Sequence, residues 1–298
     1  MSQSDISTID STLRLRDGRV LGYMEAGKPD GPPIFHFHGH GSSRLEVSLL
    51  AESAATSGVR VIALDRPGIG RSDARWNFQI LDWPADVVEA ADQLGIGRFA
   101  IEGVSAGGIY AMACAYKIPH RLTACGLIST TVPPMFVKQG GPRWMQTTWW
   151  AAEHLSWLFQ PSIHLRRRMI GSDVASIEKW LASSAPKLGE GDQKVIANPE
   201  IRAHLGKIFA ESYRQGEEAN LKELEIGVRS WGFEAEQITF ENMYLWHGEQ
   251  DRIIPVEPVR LLAQALPHCN AIFYPDEGHF STVINHSSDI LQTLSAES

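Results

Sequence analysis

The sequence predicts an α/β protein: a parallel β-sheet covered by helices on both faces, with a helical segment inserted into it. Three observations predict this. Short apolar runs alternate with helical patterns through the first 130 residues, the alternation resumes after residue 239, and the stretch between reads as helix without a clear strand.

Taken in order, Ile34-Phe35-His36-Phe37-His38 and Val59-Arg60-Val61-Ile62-Ala63-Leu64 are short apolar runs bounded by Pro and Gly, as buried parallel strands are. Between them, Leu45 to Ser57 reads as a helix stopped by Gly58. A second helix starts near Asp82: Pro84 suits its first turn, Val87, Val88, Ala91 and Leu94 recur with helical period, and Gly95 suits its end. Phe99 to Val104 is a strand, Ala106 to Ile118 a helix stopped before Pro119, and Leu122 to Ser129 another strand. From Val132 the rhythm breaks at Pro133-Pro134 and Gly140-Gly141-Pro142, and residues 133–238 read as helices that carry Trp144, Trp149, Trp150, Trp157 and Trp180. Asn242 to Trp246 and Ala271 to Tyr274 are then strands, with helices over Val256 to Leu266 and Ser281 to Leu294. The division is therefore a core of residues 1–132 and 239–298, with 133–238 inserted as a helical cap.

Composition narrows the function. Hydrophobic residues are 43% and charged residues 21%, ordinary globular usage, over 298 residues. A net charge of −8 lacks the electrostatic footprint of a nucleic-acid binder, and Arg166-Arg167-Arg168 is too short a run to change that. No stretch approaches the roughly 20 apolar residues of a membrane span. The polar, acidic start, Met1 to Asp10, is neither a secretory signal nor an Arg-rich transit peptide, so a cytoplasmic location is expected. Cys114, Cys125 and Cys269 are too few and scattered for a disulfide framework or a zinc site, and Cys114 and Cys125 read as small buried hydrophobes.

The chemistry gathers at strand ends. Gly103-Val104-Ser105-Ala106-Gly107 fits G-x-S-x-G where a strand turns sharply into a helix, with Gly108 following. Such an elbow strains the serine backbone, projects its hydroxyl beyond the sheet edge, and aims the Ala106 N–H where an oxyanion would form. A serine needs a base, and the base needs an orienting group. His279, in Asp276-Glu277-Gly278-His279-Phe280, follows the strand Ala271 to Tyr274; Asp251, in His247-Gly248-Glu249-Gln250-Asp251, follows another. Glu249 and Asp276 are alternative acids. His38-Gly39-His40-Gly41 supplies free backbone N–H groups after a buried strand, and the second oxyanion donor is expected from His40. The His40 side chain faces either the pocket mouth or solvent, whereas His36 and His38 are expected to be structural. A metal cluster of His36, His38 and His40 is discounted, because alternate strand residues splay to opposite faces. Asp65-Arg66-Pro67-Gly68-Ile69-Gly70-Arg71-Ser72-Asp73 reads as a rigid loop fixed by Asp65 and Arg66; it lacks the lysine and helix start of a phosphate cradle.

In these motifs, in this order, the chain resembles the α/β-hydrolase fold of the capped serine type. The resemblance implies a mostly parallel eight-stranded sheet with the cap inserted after the sixth strand, and two-step acyl transfer by Ser105, His279 and Asp251 with the His40 and Ala106 amides as oxyanion hole. No metal or organic cofactor is implied. The serine at the elbow argues against the dehalogenase and epoxide-hydrolase branches, which carry aspartate there. Phe280 stands where the meta-cleavage carbon–carbon hydrolases usually place tryptophan. The favoured function is a hydrolase of carboxylic esters, lactones or thioesters of an apolar small molecule. Carbon–carbon hydrolysis and a low-turnover receptor for a hydrophobic ligand are the alternatives. Trp149, Trp150, Trp157 and Phe280 are the candidates for the substrate wall; the other reading of the tryptophans is that they dock the cap on the core. Oligomeric state is left open, a homodimer included.

Overall fold

The computed structural model describes residues 8–155, 161, 164–165, 168, 170–171 and 173–297. Among these residues, eight strands form one sheet: β1 (Ile9–Arg14), β2 (Val20–Gly27), β3 (Pro33–Phe37), β4 (Arg60–Leu64), β5 (Phe99–Val104), β6 (Leu122–Ile128), β7 (Met243–Gly248) and β8 (Cys269–Tyr274). Their spatial order is β1-β2-β4-β3-β5-β6-β7-β8. From β4 to β8 every pairing is parallel; β1 and β2 join antiparallel at the other edge. The sequence signal for that hairpin was Asp17-Gly18, where Gly18 turns the chain at φ +90°.

The helices are α1 (Ala51–Ser57), α2 (Trp83–Gln93), α3 (Gly107–Lys117), α4 (Pro134–Gly140), α5 (Arg143–His154), α6 (Val174–Ser184), α7 (Glu190–Ala197), α8 (Pro199–Ser212), α9 (Glu218–Gly227), α10 (Val256–Ala265) and α11 (His279–Ser295). The expected helix over Leu45 to Ser57 is divided: Arg44–Leu49 winds as a 3-10 helix before α1 begins. On one face of the sheet, Val87, Ala90 and Ala91 of α2, the buried body of α3, and Val259 and Leu262 of α10 pack on Phe35, Ile62, Ile101 and Leu127. Trp83 sits at the centre of that core, edge-on to Phe37 at 5.5 Å and to Tyr110 at 6.0 Å. The opposite face is covered by Ala51 and Ala54 of α1 and by Val283, Ile290, Leu291 and Leu294 of α11.

α4 to α9 lie between β6 and β7. Phe136, Val137 and Met145 at one end of this insertion, and Ile226, Trp231, Phe233 and Ile238 at the other, belong to the main core. Its middle has a small core of its own: Ile177, Leu181, Ile196, Leu205 and Ile208.

Strand register decides where the chemistry falls. Phe37 pairs with Gly103, Val104 with Ile128, Ile128 with Trp246, and Gly248 with Tyr274. Strands β3, β5, β6, β7 and β8 therefore end on one level, and the residues that follow them share one edge of the sheet.

Candidate active site

Ser105 follows β5 at φ +54°, one of two non-glycine residues with positive φ among those described. Such a conformation costs about 1–3 kcal/mol and persists only where neighbours over-determine it. Here they do. The Ser105 N–H donates to the Ile128 carbonyl at 2.9 Å, and the Ser105 carbonyl accepts from the Thr131 and Gly108 N–H groups at 3.0 and 3.1 Å. The elbow is also packed without room for side chains. A Cβ on Gly103 would stand 2.4 Å from the Gly107 carbonyl oxygen, on Gly107 1.9 Å from that of Phe37, and on Gly108 1.9 Å from Thr130 Oγ1.

The loop after β3 runs beside this elbow, since a Cβ on Gly39 would lie 3.4 Å from Ser105 Cβ. Two ionic networks hold it. On one side Glu46 accepts from the Gly39 N–H at 3.2 Å and from the Ser42 hydroxyl. Glu46 in turn stands 3.4 Å from His36 Nε2, while His36 Nδ1 meets Glu102 at 2.8 Å. Burial alone would lower the His36 pKa, but the two glutamates outweigh it and hold it at about 9. Glu46 answers in kind: burial raises its pKa, and His36 with Ser42 brings it down to about 2. On the other side Arg66 donates to the His38 and Gly39 carbonyls at 2.5 and 3.1 Å. Glu223 of α9 pairs with Arg66, and the Arg66 guanidinium lies 4.7 Å from the Tyr110 ring centroid. His38 is fully buried, and burial with the Arg66 charge takes its pKa to about 3, so it is neutral. Neither His36, in β3, nor His38, just after it, lines the cavity. The His40 side chain lines the cavity, its Nδ1 3.6 Å from Glu223. Among the described residues neither the His40 nor the Ala106 N–H donates to a protein acceptor.

His279 is the first residue of α11, and its Nδ1 lies 2.7 Å from Asp251 Oδ2. Asp251 Oδ1 accepts from the Ile253 and Ile254 N–H groups at 2.8 Å each, which fixes the carboxylate. Because Asp251 can only accept, His279 carries its proton on Nδ1 and keeps the lone pair on Nε2. Burial depresses the His279 pKa, but the charge and hydrogen bond of Asp251, with Asp192 and Glu46 further off, more than offset it, and the net shift is upward. Of the alternative acids, Glu249 pairs with Arg260 and Asp276 is exposed. The loop Asp65–Asp73 is the expected rigid scaffold: Asp65 accepts from the Arg44 N–H, the Arg44 guanidinium and the Arg71 N–H at 2.7–2.9 Å.

Ser105 and His279 line one cavity of about 460 Å³. Its wall corrects the sequence expectation. Phe280 lines it, but Trp149 and Trp150 do not: Trp149 packs on the main core, and Trp150 is 52% exposed and stacked on His154. Trp157 lies outside the described residues. Beside Phe280, the aromatic wall is Trp180 of α6, Phe209 of α8, and Tyr213. The cause is the docking of α4 and α5, which lean on the core beside α10 through Phe136, Val137 and Met145, away from Ser105; α6 and α8 cross above it. Tryptophan content could not distinguish the two. The apolar spacing Ile177-Trp180-Leu181 and Leu205-Ile208-Phe209 was the usable signal. Among the described lining residues there is no Lys or Arg, and Glu46 is the one carboxylate. The described residues hold no cluster of His, Cys, Asp or Glu suited to a metal ion. No helix among them is long and apolar enough to cross a membrane.

The model of the alpha/beta hydrolase fold family matches residues 32–285. A 2-hydroxymuconate semialdehyde hydrolase of Pseudomonas putida is 26% identical over 261 residues, 87% of this chain and 84% of that protein. A bifunctional esterase/perhydrolase of Acinetobacter calcoaceticus is 32% identical over 124 residues, 41% of this chain and 45% of that protein. In fold, the chain is similar to an esterase from Exiguobacterium antarcticum, with a TM-score of 0.71 at 16% identity over 97% of this chain and 98% of that one. With the family match spanning most of the sheet and its insertion, the chain belongs to the α/β-hydrolase-fold family, as a hydrolase whose relatives include esterases and a semialdehyde hydrolase.

Proposed function

We propose that the chain is a serine hydrolase of neutral carboxylic esters with an apolar acyl group, residues 133–238 forming its cap. The observation that carries this is the shared cavity: a strained, hydroxyl-bearing Ser105 and an Asp251-oriented His279 open on the same, largely apolar space. In this reading His279 Nε2 takes the Ser105 proton as Oγ attacks the ester carbonyl. The His40 and Ala106 N–H groups, with no acceptor among the described residues, receive the developing oxyanion. His279 then protonates the leaving alcohol, and water repeats the cycle on the acyl-enzyme while Asp251 keeps the imidazole tautomer.

The long match to the Pseudomonas putida hydrolase supports a second reading, hydrolysis of a carbon–carbon bond next to a carbonyl. The cavity favours the first. A muconate-type substrate carries a carboxylate, and the described wall offers it Glu46 and neither Lys nor Arg. The test is turnover of p-nitrophenyl acetate, butyrate and octanoate by wild type and Ser105→Ala. Turnover that vanishes in the variant supports the ester reading. Equal rates in both, or cleavage confined to vinylogous diketones, would overturn it, and binding without turnover would mark a ligand receptor.

A further inference from the structure

The segment Gly189–Asp192 at the start of α7 is wedged against both loops that carry the acid and the base. A Cβ on Gly189 would stand 2.6 Å from the Gln250 carbonyl oxygen; one on Gly191 would stand 2.6 Å from Ser281 Oγ and 2.9 Å from the Asp276 carbonyl oxygen. The Glu190 N–H also donates to Gln250 Oε1 at 3.1 Å. Held there, the fully buried Asp192 accepts three backbone hydrogen bonds. Oδ2 takes the His279 N–H at 2.9 Å, and Oδ1 takes those of Phe280 and Ser281 at 2.8 and 2.9 Å.

These are the first N–H groups of α11, donors that a helix cannot satisfy internally and that carry the positive end of its dipole. A local N-cap side chain would normally take them. The N-cap here is Gly278, and it has no room for one: its Cβ would fall 2.4 Å from Asp192 Oδ2. The carboxylate thus comes from a helix 87 residues away in sequence, and among the described residues it has no cationic partner.

We propose that Asp192 is a positioning residue for the base: from the inserted helices it clamps the backbone of His279, so the imidazole keeps its bond to Asp251 and its place in the cavity only while α7 is docked. The proposal rests on His279 being that base. A helix start without its cap frays, and the residue that frays first here is His279 itself. The charged and titratable groups around the imidazole are Asp251 at Nδ1, Asp192 beneath the backbone, Glu46 across the cavity and His247 behind Asp251. Removing the Asp192 charge therefore lowers the pH at which the imidazole titrates.

The experiment compares wild type with Asp192→Asn, which keeps the size but removes the charge and sets an NH₂ among N–H donors. In a variant whose circular dichroism matches wild type, kcat for p-nitrophenyl butyrate is expected to fall by about 10–100-fold with KM within about twofold. The His279 imidazole titration followed by NMR is expected to move to lower pH. An unchanged titration midpoint together with an unchanged kcat would overturn the proposal. Should the variant not fold, amide exchange in wild type decides: the N–H groups of residues 279–281 are expected to exchange slowly, and rapid exchange, as at an uncapped helix start, would overturn it. The titration and the exchange need no turnover, so they judge Asp192 even if the Ser105→Ala comparison removes the ester reading.

Discussion

His36 offers a quantitative test of the electrostatics beneath the active-site loop. It is fully buried between Glu102 at 2.8 Å and Glu46 at 3.4 Å. Its pKa stands at about 9 in the folded chain against an ordinary 6.5. A group whose folded pKa is raised contributes stability that is complete below the unfolded pKa and is lost as pH rises through the folded one. His36 therefore stabilises the fold fully below about pH 6.5 and ceases to do so by about pH 9, an interval worth on the order of 3 kcal/mol. The perturbation is His36→Gln, and the assay is the free energy of urea unfolding at successive pH values across that interval. The variant starts lower, since it leaves two buried carboxylates without their cation. The informative quantity is the slope: wild type should lose about 3 kcal/mol more than the variant on the way from pH 6.5 to above pH 9. Parallel curves for the two proteins would refute a protonated His36. The same titration should loosen the Gly39–Ser42 loop, because Glu46, which holds both residues, loses its counter-charge.

Because the His279 pKa is raised and the base must start neutral, kcat/KM for esters should rise with pH through a midpoint above 6.5; a flat profile across that range counts against His279. Trp180→Ala or Phe209→Ala should raise the octanoate-to-acetate ratio of kcat/KM by roughly tenfold, while Trp150→Ala leaves it unchanged; chain-length series on the three variants check this. Gly107→Ala forces a Cβ to within 1.9 Å of the Phe37 carbonyl oxygen and should cost more than about 3 kcal/mol, read as loss of folded protein or a steep fall in Tm. Glu223→Gln strands the buried Arg66 cation and should destabilise by about 3 kcal/mol while lowering kcat; a full-strength Tm would show the pair to be dispensable.

The sequence by itself determined the parallel part of the sheet and the loops at its edge. Strands buried on both faces are continuous apolar runs, and Gly, Pro and a positive-φ elbow leave local marks that need no partner to be read, so β5 was legible to the residue. The convergence of Ser105, Asp251 and His279 on one edge was legible because each lies one to five residues past a strand end, and in a parallel sheet strand ends share an edge. The antiparallel β1 and β2 were not read, since the exposed, mixed pattern of Ile9–Arg14 is weak without its partner. What only the tertiary structure decided is how the inserted helices sit. Helical periodicity marks an apolar face but not what that face meets. So it could not say that Trp180 and Phe209 would wall the cavity while Trp150 faced outward. Nor could it show that Asp192 and Glu223 would reach across to His279 and Arg66, because a carboxylate on a helix surface looks alike whether it meets water or, after folding, a helix start with no cap of its own.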